Sequence, residues 1–454
     1  MSGLDAELLA RLLALRAAWR LHEHWSPARI AAHQAEAFER LRAYAVGRSA
    51  FYRQRYAGLE RAPLSALPPV TKAELMEHFD EAVTAPSLRL ADVEAHLREL
   101  VENDGDPSVP WRGRWWVAAS AGTTGRRGVF VWDHREWASV IASYTRIPSW
   151  AGLPGLIRRP ARVAIVTSRW PTHQSAVLSA TFNSMLFPTL RLDAGDPPER
   201  TVGRLNAFRP DLLIGYPSAL WPLAAEQLSG RLKIAPRAVL SASEVLGSRA
   251  AREMAAAWGS EPFDVYGTTE TAGIASMCSA RRQHVYEDLV IVEPVDADYR
   301  PVPHGVTGDR ILVTVLFSRT LPLIRYEMSD EVRLDGRGCP CGRSFELLTK
   351  VEARAEEVLH LPVGEATVPV HPNVFHAALE DAPVTGWQVV QRPDGLDVLL
   401  AGLPLGTDLR ALRDRVMLGL AGAGAVGTPV NIIPVHEIQR TALGKAPLVK
   451  AIRE

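Results

Sequence analysis

Hydrophobic positions recur at helical spacing through roughly the first 60 residues. Leu8, Leu9, Leu12, Leu13 and Leu15 fall on one face among Ala, Arg and Glu, the mark of an amphipathic helix. Residues 64–69 form a Pro-containing connector, and Thr71 with Glu74 reads as a capping box opening a helix around Leu75 and Met76. From Ala161 onward the period changes. Short apolar runs at 162–168, 211–215, 237–240 and 262–265 read as buried strands, and the patterns at 175–185 and 219–228 read as helices. Strands alternating with helices predict an α/β fold with mostly parallel sheets flanked by helices. Residues 310–317 supply a further strand.

The pattern changes again near 350–360. Apolar runs at 387–390 and 396–400 flank Pro393-Asp394-Gly395, a hairpin turn, and are followed by a helix at 409–420 and a strand at 430–435. A chain of 454 residues exceeds one ordinary hydrophobic core. We therefore expect a large N-terminal domain, residues 1–353, whose helical segment is 1–60. A small α+β C-terminal domain, residues 354–454, should follow, joined by a hinge around Ala353–Glu357.

Acidic and basic residues balance at 51 each, so charge points neither to nucleic acid nor to an anionic membrane. No apolar run is long enough to span a bilayer. Asp5, Glu7, Arg11 and Arg16 among the first leucines describe an amphipathic helix, not a signal peptide. That helix is compatible with a homodimer and equally with packing on its own domain. Three cysteines are too few for a disulfide scaffold, which makes a reducing cytoplasm the default compartment.

Four stretches carry candidate chemistry. Ser120-Ala121-Gly122-Thr123-Thr124-Gly125-Arg126-Arg127-Gly128 follows an apolar run. Its small residues let backbone N–H groups approach phosphate oxygens, and its hydroxyls add donors. A plain glycine-rich turn has the same composition, and the Lys-Ser/Thr of a Walker loop is missing. Asp264-Val265-Tyr266-Gly267-Thr268-Thr269-Glu270-Thr271 stands at the end of an expected strand, where α/β proteins place ligands. Tyr266 can stack on a purine and Glu270 can hold a magnesium ion, although Thr-Thr-Glu is also a common helix N-cap. Arg325 to Asp330 ends on an Asp able to accept from both ribose hydroxyls. The tail from Arg440 to Lys450 sets Lys445 beside Gly444, where it could reach a buried anion or simply be solvated.

In this order and spacing the four stretches resemble the adenylate-forming superfamily of acyl-CoA synthetases, luciferases and peptide-synthetase adenylation domains. Within it, Ser49-Ala50-Phe51-Tyr52-Arg53, Leu67 to Lys72, Tyr286-Glu287-Asp288 and Cys339-Pro340-Cys341-Gly342-Arg343 resemble the phenylacetate–CoA ligase branch. The resemblance spans nearly the whole chain. It implies that an acid, aromatic or arylacetic in this branch, is activated with Mg-ATP to an acyl-adenylate. The acyl group would then pass to CoA; an amine or a carrier protein is the rival acceptor. A different class of reading is a degenerate protein that binds ATP or adenylate without turnover.

Residue by residue, Ser120, Gly122, Thr123, Thr124, Gly125 and Arg126 resemble the loop that closes on the phosphates. Ser243, Glu244 and Val245 match the segment lining adenine, with Tyr266 against its face and Gly267 and Thr269 beside it. Glu270 matches the magnesium-binding glutamate, and Thr268 joins it and Lys445 in the catalytic set. Asp330 matches the ribose-binding aspartate, Arg354 a hinge arginine, and Lys445 the lysine bridging acid and α-phosphate. The acid would lie near Tyr216, Ser218 and Ala242, with Trp150, Trp170 and Trp221 as candidate wall residues. The sequence departs from the family where Arg126 replaces a common lysine and where Ala353 and Glu356 replace the hinge glycine and aspartate. His360 to Gly364 stands where the family has an Arg-Gly segment, which bears on CoA as acceptor.

Cys278, His284, Cys339 and Cys341 comprise every cysteine and one histidine, the ligand set of a closed structural zinc site. Members of this branch share the pattern. Three buried free thiols are the alternative, and Cys-x-Cys is tighter than the usual spacing. A zinc ion there would brace the segment after Glu270 against the one after Asp330.

Overall fold

The computed structural model describes residues 6–120, 127–152, 161–182, 188–196, 198–354, 359–364, 366–370, 373–379, 382–439 and 449–450. The chain opens with helices α1 (Ala6–His22), α2 (Pro27–Arg48) and α3 (Ala50–Arg55). Ser26 caps α2 by accepting from the Arg29 N–H, with Pro27 preset for the first turn. A 3-10 turn at Leu64–Ala66 leads to α4 (Lys72–Glu77), α5 (Phe79–Ala82) and α6 (Leu90–Glu102). Thr71 accepts from the Glu74 N–H, the expected half of a capping box. Strands β1 (Trp116–Ala119) and β2 (Val129–Trp132) pair antiparallel, and α7 (His134–Trp150) follows. A full capping box between Asp133 and Glu136 opens α7, a helix buried on most of its circumference.

The alternating segment follows as β3 (Val163–Thr167), α8 (Gln174–Phe182), β4 (Thr189–Asp193), α9 (Pro198–Phe208), β5 (Leu212–Gly215), α10 (Pro217–Leu228), β6 (Ala238–Ala242) and α11 (Ser248–Trp258). Next comes a strand-rich stretch: β7 (Phe263–Thr268), β8 (Ala272–Met277), β9 (Gln283–Val285), β10 (Val290–Val295), β11 (Arg310–Val315), β12 (Tyr326–Met328), β13 (Asp330–Leu334) and β14 (Leu347–Arg354). The chain closes with β15 (Leu359–Val363), β16 (Ala366–Val370), α12 (Asn373–Leu379), β17 (Gly386–Arg392), β18 (Gly395–Ala401), α13 (Leu409–Gly422), β19 (Val430–Val435) and β20 (Val449–Lys450). The architecture is the expected α/β one. The expected helix at 175–185 is described as far as Phe182, and its last residues lie outside the described ones. The strand expected at 262–265 continues to Thr268, so Thr268-Thr269-Glu270 is a strand end and turn, not a helix N-cap.

Two compact units emerge. The first comprises Met1–Val163, Arg169–Arg191 and Phe263–Val351. Its strands run in the order β13-β14-β9-β8-β7, and β10-β11-β12 form a second sheet. Its core gathers Phe79, Trp137, Trp150, Tyr286 and Tyr326. The second unit comprises Ala164–Ser168, Leu192–Pro262 and Glu352–Glu454. Here β6-β5-β3 lie side by side, with β5 and β6 parallel. A separate sheet in the order β19-β18-β17-β20 packs with α12 and α13 around Phe375, Trp387, Val398 and Leu412. The β17–β18 turn is the expected one; a Cβ on Gly395 would lie 2.5 Å from the Pro429 carbonyl oxygen, which excludes any larger residue. Among the described residues, no helix is long and apolar enough to cross a membrane.

The first unit is tied together at Tyr286-Glu287-Asp288. The Asp288 side chain is fully buried and accepts two hydrogen bonds from the Arg146 guanidinium of α7, at 2.8 and 2.5 Å. His22 Nδ1 at the end of α1 lies 2.8 Å from the same carboxylate. From α2, His33 Nε2 lies 3.1 Å from the Asp288 carbonyl, and the Gln34 amide donates to the Glu287 carbonyl at 2.9 Å. Trp19 lies under the Arg146 guanidinium at 4.6 Å. Three helices, α1, α2 and α7, thus converge on this short segment. Burial alone would raise the Asp288 pKa; Arg146 and His22 outweigh it and hold the carboxyl at about 2.

Replacing Asp288 by Asn leaves Arg146 charged and unpaired in the core, at a cost of about 3–5 kcal/mol. The folded carboxyl titrates below its unfolded value of about 3.9, so its contribution is complete above roughly pH 4 and fades as pH falls toward about 2. Thermal melts should show the gap between wild type and D288N widest at neutral pH and shrinking in acid. An equal gap at both ends would contradict this assignment.

Candidate functional site

The hairpin of β7 and β8 presents the second motif. Register slips between Tyr266 and Gly267, a local irregularity that re-aims the strand end. Gly267 is required by contact: a Cβ there would sit 2.6 Å from the Ala272 carbonyl oxygen and 3.1 Å from the Tyr144 hydroxyl. Thr268 Oγ1 lies 3.1 Å from Thr271 Oγ1 and accepts from the Thr271 N–H at 3.4 Å, which closes the turn. The turn is also held from outside. The Tyr144 hydroxyl donates to Gln174 Oε1 at 3.2 Å, and Gln174 Nε2 donates to the Thr269 carbonyl at 3.1 Å. Burial pushes the Tyr144 phenol well above its ordinary pKa, so it stays a donor. Sequence reasoning missed Tyr144 and Gln174, because each looks like an ordinary helix residue until α7 and α8 meet the turn.

Glu270 stands on that turn with its side chain about one-tenth exposed, and its cationic neighbour is Lys72 Nζ at 3.9 Å. Asp330 heads β13 and is buried. The strand before it is stitched to the segment after the Pro-containing connector: the Val70 N–H donates to the Arg325 carbonyl at 3.0 Å, and the Glu327 N–H donates to Val70 O at 2.9 Å.

Ser120 sits at the foot of the glycine-rich loop. Its N–H donates to the Gly128 carbonyl at 2.8 Å, and the Gly128 N–H donates back to Ser120 Oγ at 2.9 Å. The loop is therefore pinched at its base. Gly122, Thr123, Thr124, Gly125 and Arg126 lie outside the described residues, as do Lys445 and the Arg354 side chain.

In the second unit, β6 delivers Ala242 and then Ser243, Glu244 and Val245 in the loop before α11. Ser243 adopts a positive φ of 70°, and Glu244 accepts from the Ser218 N–H and hydroxyl at 3.0 and 3.1 Å. Tyr216 is fully buried and precedes α10. Residues 216–218 and 241–244, expected to lie near the acid, are joined within this unit by these Ser218–Glu244 hydrogen bonds. Two of the candidate wall tryptophans have other neighbours. Trp150 is fully buried in the first unit's core, edge-on to Tyr286 and His284, because α7 points it inward. Trp221 packs against the cluster around Phe375 and Leu412, and its indole donates to Glu253.

Cys278, His284, Cys339 and Cys341 converge: their ligating atoms all lie within 4.8 Å of one another. Cys278 and His284 are brought together by the β8–β9 hairpin, in which the Cys278 N–H donates to Arg282 O at 2.9 Å. Cys339 and Cys341 sit in a turn closed by the Gly342 N–H on the Cys339 carbonyl. Cys278 Sγ and Cys339 Sγ are 3.7 Å apart, too far for a disulfide. That separation matches a tetrahedral ion with bonds of about 2.3 Å to sulfur, whose thiolates would stand roughly 3.8 Å apart. His284 Nδ1 is engaged with the Phe345 carbonyl at 2.9 Å, so Nε2 faces Cys341 Sγ at 3.3 Å. Burial lowers the His284 pKa and favours the neutral imidazole that ligates metals. The donor set and spacing fit zinc. Around it, Arg337 donates both guanidinium nitrogens to Glu287 at 2.6 Å, and Arg343 pairs with Glu23 at 3.0 Å.

Known proteins share this α/β architecture. No family model matches the chain. The phenylacetate–coenzyme A ligase of Thermus thermophilus is 25% identical, over 94% of this chain and 97% of that protein. The fumarate–(S)-2,3-diaminopropanoate ligase of Enterobacter agglomerans is 24% identical over 35% of this chain and 40% of its own length. A crystal structure of 2-hydroxyisobutyryl-CoA ligase with an acyl-AMP, in the postadenylation state, superimposes with a TM-score of 0.71 at 20% identity, covering 95% of this chain and 91% of that one. That likeness is one of fold. Along almost its whole length the chain is thus similar to a phenylacetate–CoA ligase, a likeness in keeping with the adenylate-forming resemblance of its motifs.

Gly267→Ala should destabilise the protein by about 1–3 kcal/mol, because the clash is with backbone and cannot be relieved by a rotamer. A melting temperature equal to wild type would show that the β7–β8 turn is not fixed as described.

Proposed function

We propose that the protein is an AMP-forming acid–thiol ligase. A carboxylate oxygen attacks the α-phosphorus of ATP, the bond to the β-phosphate oxygen breaks, and pyrophosphate leaves. A thiol, that of CoA, then attacks the acyl carbon and AMP leaves with the carboxyl-derived oxygen. The observation that carries this reading is likeness to a phenylacetate–CoA ligase along almost the whole chain, with Glu270 on a braced turn and Asp330 at the head of β13.

The first step brings two anions together, so charge cancellation and positioning dominate. Glu270, a nearly buried carboxylate, would hold magnesium, which would supply charge neutralisation at the phosphates. Ser120 and the loop through Arg126 would face the phosphates. Asp330 would hold ribose and Arg354 would contact ribose or phosphate; Tyr266, Ser243, Glu244 and Val245 would hold adenine. Gly267, Thr268 and Thr269 would shape the turn beside the nucleotide. Lys445 would bridge acid and α-phosphate, and residues 354–454 would swing about 353–357 to withdraw it before transfer. The acid would sit near Tyr216, Ser218 and Ala242. An aromatic or arylacetic acid is favoured by the relatives' names.

Zinc held by Cys278, His284, Cys339 and Cys341 would be structural, since four protein ligands leave no open position. A reducing cytoplasm suits the three free cysteines. An amine acceptor is the second reading, favoured by the likeness to an acid–amine ligase over about a third of the chain. Loading of a carrier protein uses the same adenylate.

The test is product identification after incubation with Mg-ATP, a panel of acids, and CoA or amines. A CoA thioester with AMP is expected; an amide with AMP would move the assignment to the second reading. Lys445→Ala should lose adenylation by on the order of a hundredfold or more while retaining transfer from a preformed adenylate. Equal loss of both half-reactions would remove that role. Metal analysis of the purified chain should find close to one zinc per chain, lost in C339S with a lowered melting temperature. A metal-free protein of unchanged stability would overturn the zinc assignment.

A further inference from the structure

Lys72 is absent from every role assigned above, yet its ammonium faces Glu270. The separation of 3.9 Å is beyond direct hydrogen-bond range, so the two charges face each other without closing a tight pair. Both are mostly buried, the lysine side chain about one-quarter exposed and the glutamate about one-tenth. A lysine in the first turn of α4 gains nothing from the helix, since the N-terminal end of a helix disfavours positive charge.

The backbone that carries Lys72 is fixed from several sides. Val70 is buried and exchanges hydrogen bonds with the backbone on either side of Tyr326. Arg325, buried and at a positive φ of 48°, donates to the carbonyls of Ser65 and Leu67. Arg55 donates to the Pro69 carbonyl and to the Glu74 carboxylate. Thr71 then caps α4. A solvated surface lysine needs none of this. These bonds fix the backbone from which the ammonium faces the carboxylate on the β7–β8 turn.

Resting on the ATP-site reading of Glu270, we propose that Lys72 is a nucleotide-binding residue of that site. Without nucleotide it neutralises Glu270. When Mg-ATP binds, Glu270 would hold the divalent ion, and the Lys72 ammonium would turn from the carboxylate to a polyphosphate oxygen. One cation leaves the carboxylate as another arrives, and the released ammonium meets the incoming anion. Lys72 therefore acts on nucleotide capture, and has no part in transfer from a finished adenylate, which lacks the outer phosphates.

The experiment is calorimetric titration of Mg-ATP into the full chain without acid, for wild type, K72M, K72R, E270Q and the double variant K72M/E270Q. Melting curves establish that each is folded. K72M should weaken Mg-ATP binding about tenfold or more, the scale of a lost charge-assisted hydrogen bond, and K72R should recover much of it. The decisive comparison is made in the E270Q background, where no ion pair remains to be broken. A further loss of affinity on adding K72M places the ammonium on the nucleotide. No further loss there, with K72M alone only lowering the melting temperature, reduces Lys72 to a structural counter-ion and overturns the proposal. Failure of wild type to bind Mg-ATP would overturn the parent reading, and the proposal with it.

Discussion

The first unit depends on one buried ion pair. Arg146 and Asp288 meet in the core with both carboxylate oxygens and two guanidinium nitrogens engaged, so neither can leave without stranding the other. Through it, α7 is fixed to the segment between β9 and β10, and His22 adds α1. The next residue back, Glu287, binds Arg337 and the Glu346 N–H, which sets both ends of the turn that carries Cys339 and Cys341. Glu23 and Arg343 close the same arrangement from α1. The cysteine turn is thus positioned by charge pairs before any metal is considered.

That scaffold matters because the same strands run on to the candidate nucleotide residues. Glu270 and Cys278 bracket β8; Asp330 and Cys339 bracket β13 and its following loop. A metal shared by Cys278 and Cys339 would fix the far ends of two segments whose near ends hold Glu270 and Asp330. Tyr144 and Gln174 fix the near end of one, and Val70 and Arg325 the approach to the other. Rigidity is what electrostatic positioning of two anions demands. The described part of the site is rigid in this sense: its carboxylates stand on strand ends and short turns, with buried polar partners behind them.

Much of this was legible in the sequence, for identifiable reasons. Helices such as α10 and α13 and strands such as β5 and β19 declare themselves by period, and the β17–β18 turn by Pro393-Asp394-Gly395. The convergence of Cys278, His284, Cys339 and Cys341 could be anticipated because no other cysteines compete. Contacts between segments far apart in the chain were not legible. Nothing in the text around Lys72 announces Glu270, and Gln174 reads as a helix start until it reaches the Thr269 carbonyl. Trp150 and Trp221 show the reverse failure: large aromatic residues suggest a ligand wall, but helix phase turns the first into the core and the second toward the cluster around Phe375 and Leu412.

Formation of an acyl-adenylate is the step proposed for these residues. Exchange of radiolabelled pyrophosphate into ATP, driven by a carboxylic acid with no acceptor present, reads that step alone. Exchange should require both magnesium and one class of acid and should disappear in E270Q. Cleavage of ATP to ADP and phosphate, or binding of ATP with no exchange for any acid, would contradict it.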